Sequence, residues 1–442
     1  MRIAVVGLGK LGAPLAAVMA SKGHDVLGID INPTAVKLLN DGLAPVEEPG
    51  LQALVSASRE RLRATTDLAA AAECDMSILI VPTPSDERGA FTNRYALAAL
   101  DDIGRALADR DRHHVVVIAS TVMPGSCEAV LAPALEQASG RRIGDTLGLC
   151  YSPEFIALGN VIQDMLEPDM VLIGESDPRA GDVLERLYKT VCENDPPFRR
   201  MSLVNAELTK IAVNTYVTMK ISYANALADM CERLPDADVE VVTDAVGLDT
   251  RIGRKYLRGA IGYGGPCFPR DNNAFAVLAR DLGAAPLLAE ATDAVNVAQT
   301  DRLARVVQSR LEPGDTVGIL GLAYKPDSGV IEESPGVALA RALADAGHGI
   351  YIYDPIALAA AASELEGVAQ PAASVDELLE RSDVVVIATP WPEFADLPLD
   401  AVRRSGRRMV VIDCWRQLSD EACAGSIEIV RLGQGVSASN PV

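Results

Sequence analysis

Short runs of Val, Ile and Leu alternate with Ala-rich helical stretches from residue 1 to about 190. Continuous apolar strands separated by helices mark a parallel sheet covered on both faces, because each crossover helix buries its own apolar stripe against the sheet. The runs predict strands at 2–6, 25–29, 77–81, 115–119, 147–151 and 170–173. From 205 to 232 the pattern becomes one long amphipathic helix, followed by further helical segments to about 310. The turn signal Glu312-Pro313-Gly314-Asp315 ends that region, and Thr316-Val317-Gly318-Ile319-Leu320 restarts the strand-helix alternation.

The last third echoes the first. Lys22-Gly23-His24 leads through Asp25-Val26-Leu27-Gly28-Ile29 to Asp30, and Ala346-Gly347-His348 leads through Gly349-Ile350-Tyr351-Ile352-Tyr353 to Asp354. Cys74-Asp75 precedes Val81-Pro82-Thr83-Pro84 as Ser382-Asp383 precedes Ala388-Thr389-Pro390-Trp391. The expected fold is α/β: two doubly wound, Rossmann-like domains joined by a central helical domain with a long helix, divided at 1–200, 201–311 and 312–442. Punctuation of this kind is shared by many α/β domains, so the echo speaks to fold class and leaves common ancestry open.

The 442 residues are enough for two to four cores, and the 23% charged and 49% hydrophobic composition is that of an ordinary globular chain. A net charge of −21 repels phosphate backbones and anionic surfaces, which argues against nucleic-acid and membrane partners. Eight scattered cysteines, Cys74, Cys127, Cys150, Cys192, Cys231, Cys267, Cys414 and Cys423, form no CxxC pair. That disfavours a zinc ribbon or redox dithiol and suits a reducing compartment. No leader pattern precedes Ile3-Ala4-Val5-Val6 and no apolar run reaches membrane-spanning length, so the expected location is cytoplasmic. No metal-ligand spacing appears, and His24, His113, His114 and His348 lie outside every motif below.

Gly7-Leu8-Gly9-Lys10-Leu11-Gly12 follows the first strand and opens a helix, with Asp30 ending the second strand. This is the dinucleotide fingerprint in its required context: Gly7 for the tight turn, Gly9 for approach of the pyrophosphate, Gly12 for helix-strand contact. Asp30 would accept from the adenosine ribose and repel a 2′-phosphate, so NAD is expected rather than NADP. Gly318-Ile319-Leu320-Gly321 has no third glycine at that spacing, and a second NAD is not expected there.

Gly262-Tyr263-Gly264-Gly265-Pro266-Cys267-Phe268-Pro269-Arg270-Asp271 places a cysteine behind flexible glycines and beside an Arg and an Asp. A thiolate adds to aldehydes, and the resulting thiohemiacetal can lose hydride to become a thioester. Taken alone, such a cysteine is more often a buried structural thiol. On the long helix, Glu207, Lys210 and Asn214 share a face, and an ammonium beside a carboxamide can hold an oxyanion or a water. Lys210 alone would read as a solvated lysine. Tyr151-Ser152-Pro153-Glu154-Phe155, Ser120-Thr121-Val122 and Pro82-Thr83-Pro84 end strands at one sheet edge, where ordinary turn chemistry or a helix-start carboxylate would serve equally.

Together these residues resemble the UDP-glucose/GDP-mannose dehydrogenase family over nearly the whole chain, to about Arg416. The resemblance also uses Glu48-Pro49-Gly50-Leu51 and Gly321-Leu322-Ala323-Tyr324-Lys325-Pro326. It implies an NAD domain, a central helical dimerisation domain and a nucleotide-sugar domain. It implies a four-electron oxidation at carbon 6 of a nucleotide-linked hexose, with two NAD used in succession. Cys267 would capture the aldehyde, Lys210 and Asn214 would hold the oxyanion, and Glu154, Asp271 and Thr121 would serve proton transfer and water. Cofactor contacts carry over to Gly7, Gly9, Leu11, Gly12, Asp30, Thr83, Thr121 and Arg270. Substrate contacts carry over to Glu154, Phe155, Lys210, Asn214, Tyr256, Gly264, Lys325 and Arg416, and to Arg251, which would reach the sugar in the neighbouring subunit of a homodimer. UDP-glucose, the commonest substrate of the family, is the first expectation; GDP-mannose or an N-acetylated UDP-hexose stays open.

The sequence departs from the family pattern at several positions. Arg270 replaces a usual Lys, Leu158 a frequent Glu, Glu332 a common Arg, Ala35 a basic residue near the ribose, and Asp413-Cys414-Trp415-Arg416 the more usual DGR. Two other readings therefore compete. A two-electron β-hydroxyacid dehydrogenase would need neither Cys267 nor a third domain. A catalytically silent nucleotide-sugar binder would account for Glu332 and Leu158 but not for the complete set Cys267, Lys210, Asn214 and Asp271.

Overall fold

The computed structural model describes residues 1–399, 408–419 and 426–436, which divide into two compact units, Met1–Val213 and Asn214–Val442. The first holds β1 (Arg2–Val6), β2 (Asp25–Ile29), β3 (Leu62–Thr65), β4 (Met76–Leu79), β5 (His114–Ile118), β6 (Leu147–Tyr151), β7 (Val171–Glu175) and β8 (Phe198–Ser202) in one sheet of order β3-β2-β1-β4-β5-β6-β7-β8. Alternate residues of β1 feed opposite faces. Ile3 and Val5 pack with the helix Gly12–Ser21, while Ala4 and Val6 pack with the helix Arg94–Leu107.

The expected strands are present to within two residues at either end, and the structure adds two and reverses one. β3 and β8 lie at the sheet edges and read Leu-Arg-Ala-Thr and Phe-Arg-Arg-Met-Ser. Edge strands bury little and carry charge, so their apolar signal is weak. β7 runs antiparallel to β6, pairing Cys150 with Glu175 and Tyr151 with Gly174. The intervening helix Val161–Leu166 has six residues, about 9 Å of length, too short to recross the sheet, so the chain returns beside the strand it left.

The second unit holds β9 (Thr316–Leu320), β10 (Gly349–Tyr353), β11 (Gln370–Pro371), β12 (Val384–Ile387), β13 (Met409–Asp413) and β14 (Ile427–Arg431), parallel and ordered β11-β10-β9-β12-β13-β14. This repeats the order of β3-β2-β1-β4-β5-β6. The echo extends to atoms: Asp75 accepts from the N–H of Arg2 at 2.8 Å and Asp383 from that of Thr316 at 3.0 Å, each fastening the start of a central strand. A Cβ on Gly12 would lie 1.8 Å from the Gly7 carbonyl oxygen, and one on Gly336 would lie 2.3 Å from that of Gly321. Gly336 thus fills the helix-strand contact for which the sequence offered no third glycine, after an inserted loop at 322–334.

The long helix spans Leu203–Arg233 and contributes residues to both units. Further helices follow at Val239–Gly247, Phe268–Asp281 and Leu287–Gln308. Among the described residues no helix is long and apolar enough to cross a membrane.

Candidate active site

The glycine loop of the first unit is shaped as a cradle. Gly7 has φ +99°, and a Cβ there would meet the Ile80 carbonyl oxygen at 2.5 Å, while beside Gly9 a Cβ would meet nothing within 4 Å. Leu11 caps the helix that opens at Gly12 and leans on the core. Asp30 Oδ2 accepts from Leu8 N–H at 2.6 Å and Oδ1 from Asn32 N–H at 2.8 Å. A carboxylate has about four acceptor positions, so capacity remains for a ribose diol. Its counterpart Asp354 is 1% exposed. It accepts from Leu322, Ala323, Ile356 and Ala357 N–H groups and from Trp391 Nε1. That carboxylate is saturated. The first cradle fits NAD, and the second lacks a ribose acceptor.

The loops after β4, β5 and β6 leave the same sheet edge. Buried Thr83 donates from Oγ1 to the Thr121 carbonyl at 2.7 Å, tying two of them together. Glu207, fully buried, accepts from Gly125 N–H at 2.6 Å and Cys127 N–H at 2.7 Å, anchoring the turn after Thr121 to the long helix. One turn on, Lys210 donates from Nζ to the Glu154 carbonyl at 2.7 Å and lies 4.7 Å from the centroid of the Phe155 ring. Lys210 is 8% exposed, so its isolated reading as a solvated lysine is not what the chain adopts. Glu154 is half-buried, and the protein around its carboxyl displaces water from it. This desolvation pushes its pKa up to about 7, against the opposing pull of a hydrogen bond from Tyr188 and the charge of Lys210. Glu48 pins the segment beyond, accepting from Gly159 N–H at 3.0 Å and Val161 N–H at 2.7 Å.

In the second unit Cys267 is exposed, whereas Cys74, Cys127, Cys150, Cys231 and Cys414 are buried, Cys192 is half-buried and Cys423 lies outside the described residues. The bland expectation of a buried thiol therefore does not hold for Cys267. It caps the helix Phe268–Asp281, whose positive dipole end favours negative charge developing at the sulfur or its adducts. The preceding backbone is tightly covered. A Cβ on Gly264 would lie 1.9 Å from the Glu333 carbonyl oxygen, one on Gly265 2.5 Å from the Tyr324 ring, and Gly265 N–H donates to the Glu332 carbonyl at 3.0 Å. Asp271, 2% exposed, accepts from Asn214 Nδ2 at 2.6 Å.

Two amides unremarked in the sequence brace this cysteine turn. Asn225 accepts from Ala260 N–H and donates to the Ile261 carbonyl, both at 2.9 Å. Asn296 accepts from Tyr263 N–H at 2.8 Å and donates to the Tyr263 carbonyl at 3.0 Å. A polar residue at 225 in register with Asn214 and Thr218 on one helix face was the available signal.

The remaining expected residues have other engagements. Tyr256, at φ +65°, stands edge-on to Phe268 with ring centroids 6.4 Å apart. Lys325 is half-buried in the loop that follows Tyr324, and Arg270 is half-buried in the first turn after Cys267. Arg251 is exposed and forks onto Asp249, Nε to Oδ1 at 3.0 Å and Nη2 to Oδ2 at 2.5 Å. Arg416 pairs with Asp238 at 2.8 Å and donates to the Leu432 carbonyl at 3.1 Å. Leu158 leans on the first core, and Ala35 is buried in the helix Pro33–Asn40. No cluster of three or more His, Cys, Asp or Glu fit for a metal occurs among the described residues.

A doubly wound domain whose glycine cradle opens a helix, with a carboxylate at the end of the second strand, is that of an NAD-dependent oxidoreductase. The chain belongs to the UDP-glucose/GDP-mannose dehydrogenase family, whose members are NAD-dependent nucleotide-sugar 6-dehydrogenases. It matches that family's NAD binding domain at 1–192, its central domain at 204–298 and its UDP binding domain at 318–420. It is 37% identical over 420 residues to a UDP-glucose 6-dehydrogenase of Haloferax volcanii, covering 93% of this chain and 97% of that one. It is 32% identical over 416 residues to a GDP-mannose 6-dehydrogenase of Pseudomonas putida, covering 91% and 94%. The solved UDP-glucose dehydrogenase of Pyrobaculum islandicum superposes with a TM-score of 0.88 at 34% identity, covering 98% of each chain.

Proposed function

We propose that this protein oxidises carbon 6 of UDP-glucose to the carboxylate of UDP-glucuronate. The observation that carries the four-electron reading is the exposed Cys267 at the start of a helix, behind a glycine turn. The likeness to UDP-glucose enzymes of two organisms favours the glucose substrate over mannose. The matched segments fall within 1–200, 201–311 and 312–442, which supports reading these as the NAD, central and nucleotide-sugar domains.

When bound in the Gly7 to Gly12 cradle, NAD supplies the hydride acceptor for both oxidations. In this reading Leu11, Asp30, Thr83, Thr121 and Arg270 complete the cofactor contacts, and Glu154 in its ionised form takes the proton of the C6 hydroxyl. The Cys267 sulfur then bonds to the aldehyde carbon, Lys210 and Asn214 donate to the oxyanion so formed, and loss of hydride from that carbon restores the C=O bond and leaves a thioester. Asp271, held by Asn214, directs water at the thioester carbonyl; the C–O bond forms, the C–S bond breaks, and the thiol is restored. Phe155, Tyr256, Gly264, Lys325 and Arg416 complete the substrate contacts. The balance is alcohol plus water to carboxylate, with two hydrides and the remaining protons leaving. Purified enzyme given NAD and UDP-glucose is expected to form two NADH per sugar, read by absorbance against product. One NADH per sugar would support a two-electron dehydrogenase, and a higher kcat/KM with GDP-mannose would replace the substrate.

The long helix leaves Tyr216, Tyr223 and Met230 more than half exposed, seven residues apart along one stripe. A heptad-spaced apolar stripe is what a second helix packs against. A second copy of this chain is the occupant in our reading, with Arg251 reaching the neighbouring sugar. Light scattering is expected to return twice the 46.7 kDa chain mass, and Tyr223→Arg to return the single mass. A monomeric parent with full activity would remove this assembly. The free cysteines suit a cytoplasmic setting.

A further inference from the structure

Behind Glu154 lies a polar chain set into the first core. Tyr188, on the helix Pro178–Val191, is 7% exposed and packed among apolar side chains. Its hydroxyl stands 3.3 Å from Glu154 Oε1 and 3.3 Å from Ser152 Oγ. Ser152, 2% exposed, donates its single proton to the Leu172 carbonyl at 2.9 Å. Its oxygen lone pairs are left facing the phenol.

A phenol between a carboxyl and a hydroxyl oxygen can satisfy both protonation states of the carboxyl. We propose that Tyr188 is a positioning residue for Glu154, holding Oε1 and reversing its hydrogen bond as Glu154 loses or regains a proton. With Glu154 ionised, the Tyr188 O–H donates to Oε1. With Glu154 protonated, the carboxyl O–H donates to the Tyr188 oxygen, and the phenol proton turns to Ser152 Oγ. No proton is gained or lost by Tyr188 or Ser152. Burial and the Glu154 carboxylate hold the phenol well above its ordinary pKa, so it stays protonated throughout. The other titratable groups facing Glu154 are Lys210, on the long helix, and Cys192, at the exit of the Tyr188 helix. Burial pushes the Cys192 thiol up to about 11, so it too stays protonated and uncharged.

The inference rests on Glu154 being the proton acceptor, and the experiment separates the two claims. The pH dependence of kcat/KM is measured on the intact enzyme and on Glu154→Gln, Tyr188→Phe and Ser152→Ala. The parent is expected to gain activity as pH rises through the Glu154 titration. Tyr188→Phe keeps the ring that fills the core but cannot donate, so the ionised form loses support and the limb moves up by about 0.5 to 1 pH unit. Ser152→Ala removes the acceptor used only in the protonated state, so the limb moves down. General damage to packing does not shift a limb in opposite directions. If Glu154→Gln abolishes the limb while Tyr188→Phe and Ser152→Ala leave it in place, or move it the same way, the Tyr188 assignment is overturned. If the limb survives in Glu154→Gln, the reading of Glu154 itself is overturned.

Discussion

Cys267→Ser is expected to lower uronate formation by about 10³-fold or more, measured by chromatography of the nucleotide-sugar products, because the step it removes is chemical rather than a binding contact. Serine keeps the turn geometry. Its side chain replaces an exposed sulfur with a nearly isosteric hydroxyl, so folding and the first oxidation are not at issue. A hydroxyl at neutral pH carries almost no anion and is a far weaker nucleophile toward a carbonyl than a thiol. The variant is therefore expected to release at most one NADH per sugar and to leave carbon 6 at the aldehyde level. Undiminished uronate would mean that the aldehyde is oxidised as its hydrate, and the covalent step would have to be withdrawn.

Lys210→Ala is expected to lower kcat by about 10²- to 10³-fold with a smaller change in KM, the signature of a charge needed when the oxyanion forms. The ammonium is nearly sequestered, lies against the Phe155 face and is aimed by the Glu154 carbonyl, so water screens it poorly. The same substitution deletes a positive charge that lowers the Glu154 pKa, so the acid limb of kcat/KM is expected to shift to higher pH alongside the fall in rate. A rise in KM at constant kcat would instead assign Lys210 to ground-state binding alone.

How much of this was legible in the chain follows from how each residue is used. The central strands were readable because both faces are buried and the residues are mostly Val, Ile and Leu. β3 and β8 were not, since edge position strips the apolar signal. Cys267, Lys210, Asn214 and Asp271 stood out through motif spacing. Their environment was invisible, and the exposure of the thiol and the burial of the lysine are the reverse of what either residue type suggests alone. Tyr188 lies in no motif, and nothing local announces that its hydroxyl meets a carboxyl 34 residues away in sequence. Glu207 was seen beside Lys210, but spacing alone does not reveal that its carboxylate serves Gly125 and Cys127 rather than a ligand.

The inserted loop at 322–334 touches the cysteine turn through main-chain oxygens, those of Glu332 and Glu333, and through the Tyr324 ring. A carbonyl is supplied by whatever amino acid occupies the position. The identity of the side chain at 332 therefore leaves that hydrogen bond to Gly265 undisturbed. Mutational drift at this site is uncoupled from the seating of the thiol, while residue 324, whose ring itself does the covering, is denied the same latitude.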